Sequence, residues 1–128
     1  MNLLLDTHTV LWWLENNPRL GRNAATAIAE IANRCWLSAA TVFEIETKHR
    51  LGKLTLPGPL QPGWEATLLA EHWEILPIAL PHARYAARLP GPHGDPFDRL
   101  LAAQAEIENL TLVTCDPAFT GFGTRTLW

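Results

Sequence analysis

Acidic residues recur along this sequence near the starts of its helical patterns, and two of them directly follow a short apolar run that is typical of a buried strand. These acids are Asp6, Glu44, Asp95, Asp98 and Asp116. In a parallel sheet the carboxyl ends of the strands meet at one edge, so we expect most of these side chains to lie together there. Clustered carboxylates repel unless cations hold them, and oxygen ligands without a cysteine or histidine cluster favour Mg²⁺ or Mn²⁺ over zinc. Such a site can activate water and stabilise in-line displacement at phosphorus, which is nuclease or phosphotransfer chemistry.

Each acid at a helix start also has a simpler structural interpretation as a cap. Asp95 and Asp116 both precede proline, which is the pattern of an N-cap followed by proline at the first helical position. Asp6, or its neighbour Thr7, could cap the first helix in the same way. Asp98 falls at the third helical position, where an acid suits the helix dipole, although its side chain should lean back toward the crevice. Capping and metal binding are compatible, and the sequence leaves both open.

Glu44 is the most informative of the acids because the residues on either side of it are apolar. A carboxylate in such surroundings is costly unless it faces a partner, which predicts a place in a polar site. The alternative is a solvated helix stripe formed by Thr41, Glu44 and Lys48.

The elements that must position these acids alternate between strand and helix. Apolar runs predict strands at Asn2–Leu5, Arg34–Ser38, Trp73–Ile78 and Thr111–Cys115, with a short terminal strand at Arg125–Trp128. Helical patterns are found at Thr9–Leu14, Leu20–Asn33, Ala39–Leu51, Trp64–His72, Pro81–Leu89 and Asp95–Glu108. This alternation predicts an α/β fold in which right-handed crossovers cover both faces of a parallel sheet.

Length and composition narrow the class of protein. A chain of 128 residues is expected to form one domain, over residues 1–128. Hydrophobic residues make up 48%, and no apolar run approaches the ~20 residues of a membrane span. Because Met1 leads directly into the first strand, we expect no signal peptide and a cytoplasmic location. Cys35 and Cys115 lie in apolar runs and are predicted to be small buried residues, not a disulfide.

Four segments of the chain together resemble the PIN-domain ribonucleases, and specifically the VapC-type toxins of type II toxin–antitoxin pairs. The segments are Leu5–Trp12, Ser38–Ile45, His93–Ala105 and Leu112–Asp116, and they follow the family's order across most of the chain. The resemblance implies a three-layer α/β/α fold around a central parallel sheet of four to five strands. It also implies an Mg²⁺-dependent endoribonuclease, with Mn²⁺ as the other candidate metal, that cuts structured RNA such as tRNA or rRNA. The implied partners are a cognate antitoxin protein and a second copy of the chain in a homodimer.

The resemblance also carries over site residues. The family's metal-binding and catalytic acids fall on Asp6, Glu44, Asp98 and Asp116 of this sequence. Asp95 is the additional acid of the subgroup that has Asp-Pro-Phe-Asp-Arg, and it joins the candidate metal ligands. Thr7 and Thr114 lie beside acids in the sequence, so their hydroxyl groups are expected to hydrogen-bond the metal-binding carboxylates without binding the metal themselves.

Basic residues follow Glu44 and Asp98 closely, where an RNA backbone would need them. They are Lys48, Arg50, Lys53 and Arg99. Lysine and arginine contacts to phosphates provide affinity that does not depend on base sequence, so these four are predicted RNA contacts. The alternative is a solvated helix end whose cations suit the helix dipole. The net charge of −3 argues only weakly against an anionic substrate, because bound divalent metals would offset clustered acids.

Two other classes of protein compete with this interpretation. A haloacid-dehalogenase-type phosphatase needs a second aspartate two residues after the first, but that position is His8. A receiver-like phosphoacceptor, which belongs to the same class, needs paired acids near the first strand, and the sequence has none there. The other competitor is a PIN fold that has lost catalysis and acts as a binding module. The presence of all four family acids argues against it.

Overall fold

The computed structural model describes residues 1–128 and is built around a sheet of five parallel strands. The strands are β1 (Asn2–Leu5), β2 (Arg34–Ser38), β3 (Glu74–Leu76), β4 (Thr111–Val113) and β5 (Thr126–Leu127). Their order across the sheet is β3-β2-β1-β4-β5, so β1 is the middle strand. The chain moves outward from β1 to one edge through β2 and β3, and then to the other edge through β4 and β5. The crevice between the carboxyl ends of β1 and β4 is therefore the switch point of the topology, where ligands bind in such sheets.

Helices cover both faces of this sheet. They are α1 (Thr7–Leu14), α2 (Arg22–Ala29), α3 (Ala39–Arg50), α4 (Trp64–Glu71), α5 (Leu80–Arg88) and α6 (Pro96–Ile107), with 3₁₀ turns at Gly58–Leu60 and Pro117–Phe122. Because successive strand residues point to opposite faces, Leu3 and Leu5 enter one core while Leu4 enters the other. The first core includes apolar residues of α1 and α2, and the second includes those of α6. The expected three-layer fold with four to five parallel strands is confirmed.

Several predicted elements are shorter in the structure, for local reasons. The helix predicted over Leu20–Asn33 ends at Ala29, because Glu30 is already extended and the Asn33 side-chain amide donates to the carbonyl oxygen of Ala27. The strand predicted over Trp73–Ile78 is confined to Glu74–Leu76, because β2 ends at Ser38, opposite Leu76. Pro77, which follows, has no N–H to donate to a ladder.

The prediction of two buried cysteines is half wrong. Both are free thiols; Cys35 is buried in β2, whereas Cys115 is exposed. The reason is that β4 ends at Val113, earlier than the predicted Cys115, so this thiol lies in the loop beyond the sheet. None of the helices has the length and the hydropathy that crossing a bilayer requires.

Candidate active site

Asp6 is the first residue after β1 and lies at the switch point, where it is buried. Its extended backbone makes it the N-cap of α1, and one carboxylate oxygen accepts the backbone N–H of Thr9 at 2.9 Å. The hydroxyl of Thr114, just beyond β4, donates to the other oxygen. Burial raises the pKa of the Asp6 carboxyl, and the hydrogen bonds from Thr114 and Thr9 counter this only in part. The helix cap and the predicted ligand are thus one and the same side chain.

Glu44 is buried on α3, a helix that Ser38 caps by accepting the N–H of Ala40 at 3.0 Å. The Thr7 hydroxyl donates to Oε1 of Glu44 at 2.6 Å. One turn further along α3, the Lys48 ammonium donates to Oε2, also at 2.6 Å. Glu44 therefore faces polar partners as predicted, and it is not part of a solvated stripe.

The two acids of α6 differ in their surroundings. Asp95 is exposed and caps the helix, because its side chain accepts the N–H of Asp98 at 3.0 Å and Pro96 takes the first helical position. Asp98 is partly buried, and its Oδ2 lies 2.8 Å from Nε2 of His93. Burial raises the pKa of the Asp98 carboxyl, the negative charges of Asp95 and Asp116 raise it further, and the bond to His93 opposes the shift.

Asp116 completes the set from the far side of the crevice. It is exposed and caps the 3₁₀ turn Pro117–Phe122, since its side chain accepts the N–H of Ala118 at 2.9 Å. Its own N–H donates to the Thr114 hydroxyl at 3.1 Å, while that hydroxyl donates to Asp6. Thr114 thereby connects the acid that follows β1 with the acid that follows β4.

All five acids line one cavity of about 180 Å³ whose wall contains no hydrophobic residue. The lining residues are Asp6, Thr7, His8, Glu44, Lys48, Asp95, Asp98 and Asp116. Five carboxylates face a single lysine, so the cavity carries a strong excess of negative charge. A larger cavity of about 480 Å³ lies along α5, but its lining holds no carboxylate that could bind a metal.

The carboxylates of the cavity are each turned to a protein donor. No three carboxylate, histidine or cysteine side chains surround a common point closely enough to hold one ion. Asp6, Glu44 and Asp98 instead accept hydrogen bonds from hydroxyl, ammonium and imidazole groups. The donor set nevertheless fits a hard divalent cation, since it offers oxygen ligands in excess of the positive charge available. A zinc site is not indicated, because no cysteine lines the cavity and its one histidine, His8, stands alone.

The predicted basic contacts separate into two groups. Lys48 lines the acid cavity, whereas Arg50 and Lys53 are exposed beyond it, at the end of α3 and in the following turn. Arg99 faces away from the cavity, and its guanidinium donates to the backbone carbonyls of Ala86, Leu89 and His93. Contact between RNA and these four residues stays a prediction. For Arg99 the structure argues against such a contact, because its guanidinium is already bonded to backbone carbonyls.

Sequence reasoning missed two histidines at this site. His8 lines the cavity, and His93 bonds Asp98, yet the sequence alone assigns neither a role, because the five histidines are scattered along the chain. The positions of these two histidines in the sequence could have identified them. His8 stands two residues after Asp6, and His93 opens the segment His93–Ala105 that carries the family resemblance.

Comparison with known proteins places this arrangement in a family. The family model described as "PIN domain" matches residues 3–123 of the chain. Ribonuclease VapC22 of Mycobacterium tuberculosis is 34% identical over 115 residues, which cover 89% of this chain and 86% of that protein. The chain therefore belongs to the PIN-domain family. Its similarity to VapC22 puts it in the VapC-type group of ribonuclease toxins, as its motifs predicted.

Solved structures agree with this assignment at the level of the fold. The VapBC2 complex of Rickettsia felis, bound to a DNA fragment from its promoter, superposes with a TM-score of 0.73 at 18% identity, over 99% of this chain and 98% of that one. FitAcB of Neisseria gonorrhoeae superposes with a TM-score of 0.71 at 26% identity, over 98% of this chain and 96% of that one.

Proposed function

We propose that this VapC-type protein is a metal-dependent endoribonuclease that hydrolyses phosphodiester bonds in structured RNA, with tRNA or an rRNA loop as the substrate. The observation that carries the proposal is the cavity at the switch point, where five carboxylates from four parts of the chain meet and no apolar residue intervenes. The presence of all four family acids argues against a silent binding module, which would have no metal for the buried carboxylates of Asp6 and Glu44 to bind.

Mg²⁺ is the metal that we propose for this cavity, with Mn²⁺ as an alternative. When bound, such a cation lowers the pKa of a water ligand and stabilises negative charge at the reacting phosphate. Asp6, Glu44, Asp98 and Asp116 are the proposed ligands, and Asp95 is an additional candidate.

The remaining lining residues support these acids. Thr114 and Thr7 orient Asp6 and Glu44 by donating one hydrogen bond to each. Lys48 supplies the positive charge of the cavity and is the nearest candidate for a contact to an RNA phosphate. Arg50 and Lys53 extend that basic surface past the end of α3.

The test is cleavage of total tRNA and of rRNA by the purified full chain, freed of any partner, with Mg²⁺ or Mn²⁺ and in chelator. Cleavage should need the metal, and the D98N variant should be inactive in both conditions. Equal cutting by the wild-type chain in chelator would rule out the metal mechanism. Cutting by D98N at the wild-type rate would refute the assignment of Asp98 as a metal ligand.

We also propose two protein partners, a cognate antitoxin and a second copy of the chain in a homodimer. The support is the similarity to VapC22 and to the VapBC2 and FitAcB structures. If a short reading frame lies directly upstream of the gene, co-expression with its product should yield a stable complex that does not cleave RNA. Light scattering on the chain alone should give twice the 14.3 kDa of one copy, and a mass of one copy would refute the dimer.

A further inference from the structure

His93 makes a single, well-aligned contact to the acid cavity. Its Nε2 lies 2.8 Å from Oδ2 of Asp98, with side-chain exposures of 35% and 23% for the two residues. An ionised carboxylate only accepts hydrogen bonds, so the Nε2–H of His93 donates. No other protein group bonds the Asp98 carboxylate, which leaves Oδ1 without a protein partner in the wall of the cavity.

His93 is itself held at two points, one on its ring and one on its backbone. Phe122 packs against it edge to face, with 5.6 Å between ring centroids. The carbonyl oxygen of His93 accepts from Nη1 of Arg99 at 2.8 Å, and Arg99 also bonds the carbonyls of Ala86 and Leu89. The residue that follows Asp98 on α6 thus fixes the loop that brings the imidazole to Asp98.

We propose that His93 is a positioning residue that holds the Asp98 carboxylate in the orientation needed to bind the metal, with Arg99 as the anchor of the His93 loop. This inference rests on the proposed function, in which Asp98 is a metal ligand. His93 engages one carboxylate oxygen and keeps the other for the cation. Ligating carboxylates are commonly held by such an outer hydrogen bond, whose loss costs about 10–100-fold in metal affinity or activity.

A purely structural role for His93 predicts something different. If the histidine only tied its loop to α6, replacing it would lower the melting temperature and leave the metal affinity of the folded protein unchanged. If it positions Asp98, metal affinity should fall in a protein that is still folded. The two possibilities are therefore separated by a binding measurement that does not depend on cleavage.

The experiment is calorimetric titration of the full chain with Mn²⁺ alone, together with thermal melts, for the wild type, D98N, H93A, H93Q and H93N. Glutamine places an amide N–H near the position of Nε2, whereas asparagine is one bond shorter and does not reach Asp98. We expect H93A and H93N to bind Mn²⁺ about 10–100-fold more weakly, and H93Q to recover most of the loss. In cleavage assays, the Mn²⁺ concentration at half-maximal rate should shift by the same factor while the KM for RNA stays constant.

The possible results separate the two proposals. Wild-type affinity in H93A, or equal affinities in H93Q and H93N, overturns the role of His93 while leaving the metal site in place. A wild-type chain that binds no Mn²⁺, or a D98N variant that binds as well as the wild type, overturns the assignment of Asp98 as a ligand and this inference with it. If H93A does not fold, the comparison of H93Q with H93N decides.

Discussion

Asp95 and Asp98 stand three residues apart at the start of one helix, yet the structure predicts opposite consequences for their removal. Asp95 accepts a backbone N–H at 3.0 Å and caps α6, whereas Asp98 is partly buried among like charges. The D95A variant should lose about 0.5–2 kcal/mol of unfolding free energy, the usual cost of a lost N-cap. At about 3–6 °C per kcal/mol for a chain of this length, the melting temperature should fall by several degrees.

The D98A variant should instead melt at the same temperature as the wild type, or higher, when no metal is present. Burial and the charges of Asp95 and Asp116 disfavour the ionised Asp98 carboxylate, and truncation removes that cost at the loss of one hydrogen bond to His93. Cleavage of RNA should follow the opposite pattern. D95A should remain partly active, and D98A should lose activity by orders of magnitude.

Thermal melts in chelator and cleavage assays with Mg²⁺ on the same preparations test this crossed pattern. D95N is the matched control, because asparagine also caps helices and should leave both stability and activity nearly unchanged. The reasoning is wrong if D98A keeps cleaving while D95N does not, since the ligand would then be Asp95 and the supporting residue Asp98.

Three further predictions concern charge in and around the cavity. The D6N variant should stay folded in chelator, because asparagine can also cap α1 and the substitution removes a buried charge. Its rate of RNA cleavage should fall by orders of magnitude. If D6N unfolds more readily but its folded fraction still cleaves RNA, the role of Asp6 is structural. Because burial raises the pKa of Asp6 and Asp98 above 3.8, ionisation costs the metal-free protein stability that is regained as the pH falls through the raised values. The melting-temperature gain of a D6N/D98N double variant over the wild type should thus shrink as the pH falls from neutral toward 3.8, and a constant gain would contradict the raised pKa values. In RNA-binding titrations at several salt concentrations, K48A should lower the number of counterions released on binding by about one, whereas R99A should leave that number unchanged. R99A should instead lose about 1.5–3 kcal/mol of unfolding free energy, because its bonds to backbone carbonyls are lost. A change in the salt dependence of R99A would show that Arg99 contacts RNA after all.

The position of the acid cavity could be predicted from the sequence because it depends on topology. A strand that ends in Asp6 and another that ends shortly before Asp116 bring both residues to the carboxyl edge of any parallel sheet, whatever the details of packing. Glu44 was identified for an equally general reason, since a carboxylate between apolar neighbours needs a polar partner. These arguments use position along an element and need no side-chain geometry.

The partners of each side chain could not be predicted in this way. Arg99 follows Asp98 directly, and adjacency to an acid suggested a phosphate contact. On a helix, however, adjacent residues point about 100° apart. Arg99 faces the end of α5 and the loop that follows it, where its guanidinium bonds three backbone carbonyl groups. The position of His93 depends on that clamp and on the ring of Phe122, which is distant in sequence. Contacts of this kind arise from packing between a loop and a helix, which no periodicity records.

The five acids of the cavity differ in how far helix capping accounts for them. Asp95 and Asp116 are exposed and use a carboxylate oxygen to cap a helix or turn, so their charge costs little. Glu44 and Asp98 are more buried and cap nothing, so the proposed metal site is the explanation that we offer for their charge. Asp6 combines both roles, because one of its oxygens caps α1 while burial opposes its charge. Folding alone therefore accounts for a short polar side chain at position 6, and the proposed metal-dependent function is our reason for expecting that side chain to be an acid.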